Sequence, residues 1–233
     1  MQWCLGMYSS GSTWVVHALR SVGDVLFPGT THVMAFVETA NDLPQGWSRS
    51  GRLFIKTHAT DDTAATLLSR GADHIWISIR DPRDCVASVM THMHKTFDAA
   101  LESVARSAEH CGRFVSAEKS TLLRYEDGFT DDPATLDFFA GGFSRTLWPL
   151  ERDRVFQQTR RTAIETMIQT FEPGHTVDDG TPGHRVHLAT QWHTHHMNRT
   201  GEIGRWRRTL DEAQAAEVTY RMGSWMNRFG YRT

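Results

Sequence analysis

The sequence predicts an α/β fold: a three-layer sandwich with a central, mainly parallel sheet of the phosphate-loop (P-loop) nucleotide-binding type, in one domain over residues 1–233. Three observations predict it. A short apolar run at residues 1–7 leads straight into the glycine-flanked turn Gly6-Met7-Tyr8-Ser9-Ser10-Gly11-Ser12-Thr13, after which a helix begins. Apolar strand-like runs then alternate with helical stretches, the order that builds parallel sheets. Three of those runs end in polar residues, at the edge where open parallel sheets carry their functional groups.

The elements follow in order. Residues 1–7 (MQWCLGM) read as a buried strand. Residues 12–21 start a helix with Ser12 or a neighbour as cap and Trp14, Val15, Val16, Ala18 and Leu19 as its apolar content. Residues 51–58 (GRLFIKTH) give a second strand; Asp61 or Asp62 caps a helix through Ser69, with Gly71 as its stop. Residues 74–80 (HIWISIR) are a third strand, and Pro82 sits at the start of a helix over 83–93. A helix over 97–116, a strand over 120–125, a helix start over 133–140 and a charged helical stretch over 150–170 follow. Residues 172–190, rich in Gly, Pro, Asp and His, predict a loop, and residues 210–229 a last helix with Asp211 and Glu212 at its positive end. The stretch 27–50 carries no element of its own in this reading and is expected as loop.

Composition removes several function classes. A chain of 233 residues, 39% hydrophobic and 22% charged with net charge −2, has the make-up of a soluble globular domain and no basic excess for nucleic acid or membrane surfaces. The three cysteines, Cys4, Cys85 and Cys111, form no CxxC pair and leave an odd thiol, which fits a reducing compartment. No apolar run is long enough to span a bilayer, and the start lacks a signal-peptide pattern, so a cytoplasmic protein without a membrane anchor is expected.

The turn at residues 6–13 is the phosphate-loop pattern G-x-x-x-x-G-K-[ST] with Ser12 in place of the lysine. A helix start after such a turn offers free N–H groups and a partial positive charge to an anion. Two further strand ends, Lys56-Thr57-His58 and Arg80-Asp81-Pro82-Arg83-Asp84, can gather at the same sheet edge.

These residues resemble a family, the sulfotransferases that use 3′-phosphoadenosine-5′-phosphosulfate (PAPS). Its motif Y-P-K-S-G-T-T-W aligns with Met7-Tyr8-Ser9-Ser10-Gly11-Ser12-Thr13-Trp14, and its K-T-H with Lys56-Thr57-His58. An arginine followed eight residues later by serine matches Arg80 and Ser88, and a tyrosine-acid pair matches Tyr125-Glu126-Asp127. R-x-G-x-x-G-x-W matches Arg199-Thr200-Gly201-Glu202-Ile203-Gly204-Arg205-Trp206, and NRFGY at the end resembles the family's usual terminus. The resemblance spans nearly the whole chain. It departs at Ser9, where the family carries a lysine or arginine.

The resemblance implies the following roles. Ser10 to Thr13 cradle the 5′-phosphate of PAPS through backbone amides and the Ser12 and Thr13 hydroxyls, with Ser9 also among the cofactor-binding positions. Trp14 stacks on adenine. Arg80, Ser88 and Arg199 hold the 3′-phosphate, approached by Thr200 and Gly201, with Tyr125 nearby. His58 is the general base, suited by its ordinary pKa of about 6.5. Lys56, two residues away on extended chain and so on the same side, replaces the missing charge at Ser9. The co-substrate is PAPS, the product PAP, the acceptor a small molecule with a hydroxyl or, second, an amine; no metal is expected.

Each residue also has a plain alternative. Lys56 and His58 can be solvated, Arg80 can simply pair with Asp84 four residues on, and Trp14 and Trp206 can be core. His92 and His94 are candidates to line a pocket. His193, His195 and His196 lack the spacing of a zinc site. Phe138, Phe139, Phe143 and Trp148 are core in part and partly a wall for the acceptor, which loops 27–50, 138–148 and 171–195 would choose. Two rival functions stay open: an ATP-dependent phosphotransferase of related fold, disfavoured by the loop without lysine, and a catalytically silent protein that binds PAP or PAPS.

Overall fold

The computed structural model describes residues 1–45, 51–178, 184–187, 192–194 and 201–232. Five strands, β1 (Gln2–Gly6), β2 (His32–Phe36), β3 (Arg52–Thr57), β4 (His74–Ile79) and β5 (Ser120–Arg124), form one fully parallel sheet in the order β2-β3-β1-β4-β5. Side chains alternate along β1 as the two-residue strand period requires. Trp3 and Leu5 enter one apolar cluster, with residues of α2 (Asp62–Gly71), α3 (Pro82–Met93), α4 (Phe97–Phe114) and α9 (Glu212–Arg228). Cys4 enters a second cluster, with residues of α1 (Ser12–Leu26), α5 (Ala134–Gly141), α6 (Pro149–Thr159) and α7 (Arg161–Gln169). Both sheet faces are thus covered, which is why the central strands read as unbroken apolar runs.

The chain reverses its direction of growth at β1, which lies between β3 and β4. The register sets Leu5 beside Thr57 and Gly6 beside Ser78, so three strand ends open on one edge. Ligands bind at such a switch point because the connections leaving neighbouring strands diverge there. Gly6 is the tightest place: a Cβ on it would fall 2.4 Å from Ser78 Oγ and 2.5 Å from Ser12 Cβ.

Side chains cap most long helices, with Asp61, Asp81, Thr96 and Asp211 accepting a first-turn backbone N–H in α2, α3, α4 and α9. The structure differs from the sequence expectations in four places. Residues 27–50 contain the edge strand β2. The charged stretch over 150–170 breaks at Arg160 into α6 and α7. The expected loop over 172–190 carries a short antiparallel pair, β6 (Thr176–Asp178) and β7 (Arg185–His187). A four-residue helix, α8 (Trp206–Thr209), precedes α9. No helix among the described residues is long and apolar enough to cross a membrane.

Candidate functional site

Strand β1 delivers the chain into the turn at residues 7–11, where Ser9 (φ 61°) and Gly11 (φ 85°) both take left-handed backbone conformations. The Ser10 hydroxyl is fully buried, bonded to Met7 O at 2.7 Å and to Ser78 Oγ at 2.8 Å. Its side chain therefore pins the turn to β4 and is withdrawn from any ligand, so only its backbone can serve the role expected of it. Helix α1 starts at once, with Gly11 as N-cap, no side-chain cap and no acid in its first turn. Its first N–H groups are left without the partner that α2, α3, α4 and α9 supply, and the positive end of the helix faces the cavity into which Ser12 and Thr13 project.

That cavity, about 630 Å³, runs from the turn across the ends of β3 and β4 to the edge strand β2. Lys56 and His58 both line it, as their two-residue spacing predicts. His58 Nδ1 lies 2.7 Å from Gly6 O; a carbonyl can only accept, so Nδ1 carries the proton and Nε2 the lone pair. Burial, with Lys56's charge adding to it and the Gly6 bond opposing, lowers the His58 pKa to about 3. This corrects the expectation of an ordinary imidazole: His58 stays neutral at every pH the fold is expected to meet.

From β4, Arg80 reaches back over the turn. Its guanidinium donates to Ser9 O at 3.3 Å and to Glu202 O at 2.6 Å, pairs with Asp84 at 3.5 Å and lies 4.4 Å above the Tyr125 ring. The pairing with Asp84 is real, yet Arg80 is also a wall of the cavity, and its buried Nε has no hydrogen-bond partner among the described residues. Asp84 does more than pair: its two oxygens accept the N–H groups of Gly204 (2.7 Å) and Trp206 (2.9 Å), fastening the segment 201–206 beside Arg80. Ser88, one turn beyond Asp84 on α3, lines the same cavity.

Position 201, where that segment begins, admits no side chain. At φ 64°, a Cβ on it would fall 2.6 Å from Tyr125 Oη and 3.2 Å from Arg161 Nη1. Tyr125 faces the cavity, whereas its neighbour Glu126 turns inward, accepting Asp81 N–H at 2.8 Å and Tyr231 Oη–H at 2.9 Å. The tyrosine-acid pair is thus one cavity residue and one tie to the C-terminal segment. Arg199, Thr200, His195 and His196 lie outside the described residues.

Trp14 has one side in the core, its Nε1–H donating to Thr159 O at 2.9 Å and its ring 5.8 Å from Phe129 and 6.0 Å from Phe139; another part lines the cavity. Trp206 packs against the core with the Arg83 guanidinium 4.4 Å from its ring. His92 lines the cavity beside Arg205, with 3.2 Å between Nε2 and Nη1, whereas His94 ends α3 near His184. Of the four aromatics expected to be partly core and partly wall, Phe139 is fully buried in the core and Phe143 packs against it, while Phe138 is 64% and Trp148 75% exposed; none of the four lines this cavity. Among the described residues no group of three or more His, Cys, Asp and Glu could hold a metal.

The sequence reading gave no role to several further cavity residues, among them Arg161, Arg205, Trp192 and His17. Arg161 begins α7, and Arg205 precedes α8. Trp192 stacks at 4.2 Å on His17, whose buried Nε2 has no hydrogen-bond partner among the described residues. His17 had a signal: it lies four residues after Thr13, hence on the same face of α1. Arg205 lies within the quoted R-x-G-x-x-G-x-W match but at one of its unspecified positions, and Arg161 had no signal.

A scan of protein-family models gives no match for this chain, and a search of curated proteins gives none either. Among solved structures, the chain is similar to a mouse sulfotransferase, SULT7A1, complexed with PAP (TM-score 0.66, 13% identity, covering 97% of this chain and 83% of that one). It is also similar to retinol dehydratase complexed with androsterone and inactive cofactor PAP (TM-score 0.63, 15% identity, 97% and 80% covered). A further match is retinol dehydratase with retinol and PAP (TM-score 0.66, 14% identity, 97% and 80% covered). The chain has the fold of these proteins.

Proposed function

We propose, from a chain that has this fold, that the protein is a sulfotransferase moving a sulfuryl group from PAPS to a hydroxyl, or an amine, of a small molecule, with PAP as the product. One observation carries the reading: the uncapped start of α1, the Lys56–His58 pair and Arg80 arrive from three adjacent strand ends in one cavity. The residues fit a nucleotide with phosphates at two ends. The first-turn amides of α1 with Ser12 and Thr13 suit the 5′-phosphate, and the orphaned Nε of Arg80, with Ser88 and Gly201 beside it, suits the 3′-phosphate.

In the transfer, the acceptor oxygen bonds to sulfur as the bond from sulfur to the phosphate oxygen breaks. The electron pair of that bond stays on the phosphate, and the acceptor's proton passes to His58 Nε2. Lys56 offsets the charge that grows on the leaving oxygen. A silent PAP-binding protein is the second reading, favoured by Ser9 and by the weak basicity of His58.

Turnover of radiolabelled PAPS against a panel of alcohols, phenols and amines tests the proposal. Wild type is expected to label at least one of them, and His58→Gln to lose about 10²–10⁴-fold in kcat while PAP binding persists. Because the His58 pKa is about 3, its neutral fraction is constant from pH 7 to pH 5, so kcat at saturating PAPS should hold across that range. An ordinary histidine would give a falling acid limb there. Binding of PAP with no transfer to any member of the panel would favour the silent reading.

A further inference from the structure

His58 can take a proton from an acceptor only if its imidazole plane is held with Nε2 toward the cavity, and one hydrogen bond at Nδ1 leaves the ring free to swing about that bond. A second contact removes this freedom. The Tyr8 ring lies against the imidazole, centroids 4.1 Å apart and planes within 20°, so the two rings are stacked. The Phe36 ring stands on β2 at 5.8 Å and 59° to the imidazole, which brackets His58 without stacking on it.

Tyr8 is itself fixed. Its backbone N–H donates to Ser107 Oγ at 3.4 Å, and Ser107 donates in turn to Val104 O at 2.9 Å inside α4. Lys95 Nζ lies 5.7 Å from the Tyr8 ring. Burial and the nearby Glu38 raise the Tyr8 pKa, with Arg106 opposing, so the phenol stays neutral. The residue therefore brings a flat face and no charge to His58. It also belongs to the phosphate-binding turn, so the turn and the base are one rigid unit: Gly6 O holds Nδ1 and Tyr8 holds the plane.

We propose that Tyr8 is a positioning residue for His58, setting the imidazole through its ring face and not through its hydroxyl. The inference rests on the reading of His58 as the base, but its test does not need an acceptor. In wild type labelled with ¹⁵N at histidine, the Nδ1–H of His58 should give a slowly exchanging proton signal. Tyr8→Phe keeps the stacked face and should keep that signal. Tyr8→Leu keeps the bulk without the face and should speed the exchange by about tenfold, in line with the worth of an aromatic pair.

With an acceptor in hand, kcat should follow the Nδ1–H signal, falling in Tyr8→Leu and holding in Tyr8→Phe. An unaltered exchange rate in Tyr8→Leu or a lost signal in Tyr8→Phe would overturn the proposal. PAP binding to no form at all would defeat the functional reading instead, while the exchange rates would still decide the role of Tyr8.

Discussion

Lys56→Met is expected to lower PAPS turnover by about two to three orders of magnitude, the loss found when one preformed donor to a developing anion is removed. PAP affinity should change little, because the charge that Lys56 answers grows only as the sulfuryl group departs. Methionine keeps the length of the stem and its apolar contact near Phe36, whose ring centroid is 5.4 Å from Lys56 Nζ. The variant therefore isolates charge from packing. Ser9→Lys in the same background is expected to recover only part of the rate. Serine at φ 61° already bears the cost of a left-handed backbone on a residue with a Cβ, so lysine adds little strain there, and the partial recovery reflects an ammonium that enters the cavity from the turn and not from β3. Losing Lys56 also removes one of the influences that hold the His58 pKa down, so that pKa should rise in Lys56→Met. Turnover near wild type in Lys56→Met would remove Lys56 from the mechanism.

Asp84→Ala is expected to be the most damaging change to stability near the site. The carboxylate is buried, pairs with Arg80 and accepts two backbone N–H groups, so its removal takes the counter-charge from a buried cation and the acceptor from two part-buried donors. Breaking a buried pair from one side costs about 3–5 kcal/mol, which lowers Tm by on the order of ten degrees in a chain of this size. PAP affinity should fall as well, since Arg80 and the segment that begins at Gly201 lose their common anchor. Thermal unfolding with and without PAP reads both effects. A Tm within about two degrees of wild type would mean that water replaces the carboxylate, and that the segment 201–206 is held by other contacts.

The legible part of this molecule was what strand geometry alone decides. The cores of β1, β3 and β4 are buried on both faces and so appear as apolar runs, and their polar ends mark the site edge. The two-residue period placed Lys56 and His58 together without any knowledge of the rest of the chain. The edge strand β2 escaped although Val33-Met34-Ala35-Phe36-Val37 is a continuous apolar run, because a run of five residues is too short for its periodicity to tell a strand from other structure. The pair β6 and β7 escaped because three-residue strands carry too little pattern.

The site was legible where motifs are local and obscure where contacts are distant. Arg161 lines the cavity only because α6 and α7 break at Arg160, and Glu126 turns inward only because Tyr231 arrives from 105 positions away. The environment of His58 was beyond the sequence for the same reason. The tyrosine that stacks on it and the carbonyl that holds it come from β1 and its turn, while His58 follows β3.

The account stands on a nucleotide with phosphates at both the 5′ and the 3′ positions. Titration calorimetry of the wild-type chain with PAP, set beside ADP and ATP with Mg²⁺, tests this most directly. Saturable binding of PAP, with ADP and ATP weaker by at least about tenfold for the missing 3′-phosphate, is the predicted result. Tight binding of ATP with no heat from PAP would contradict it.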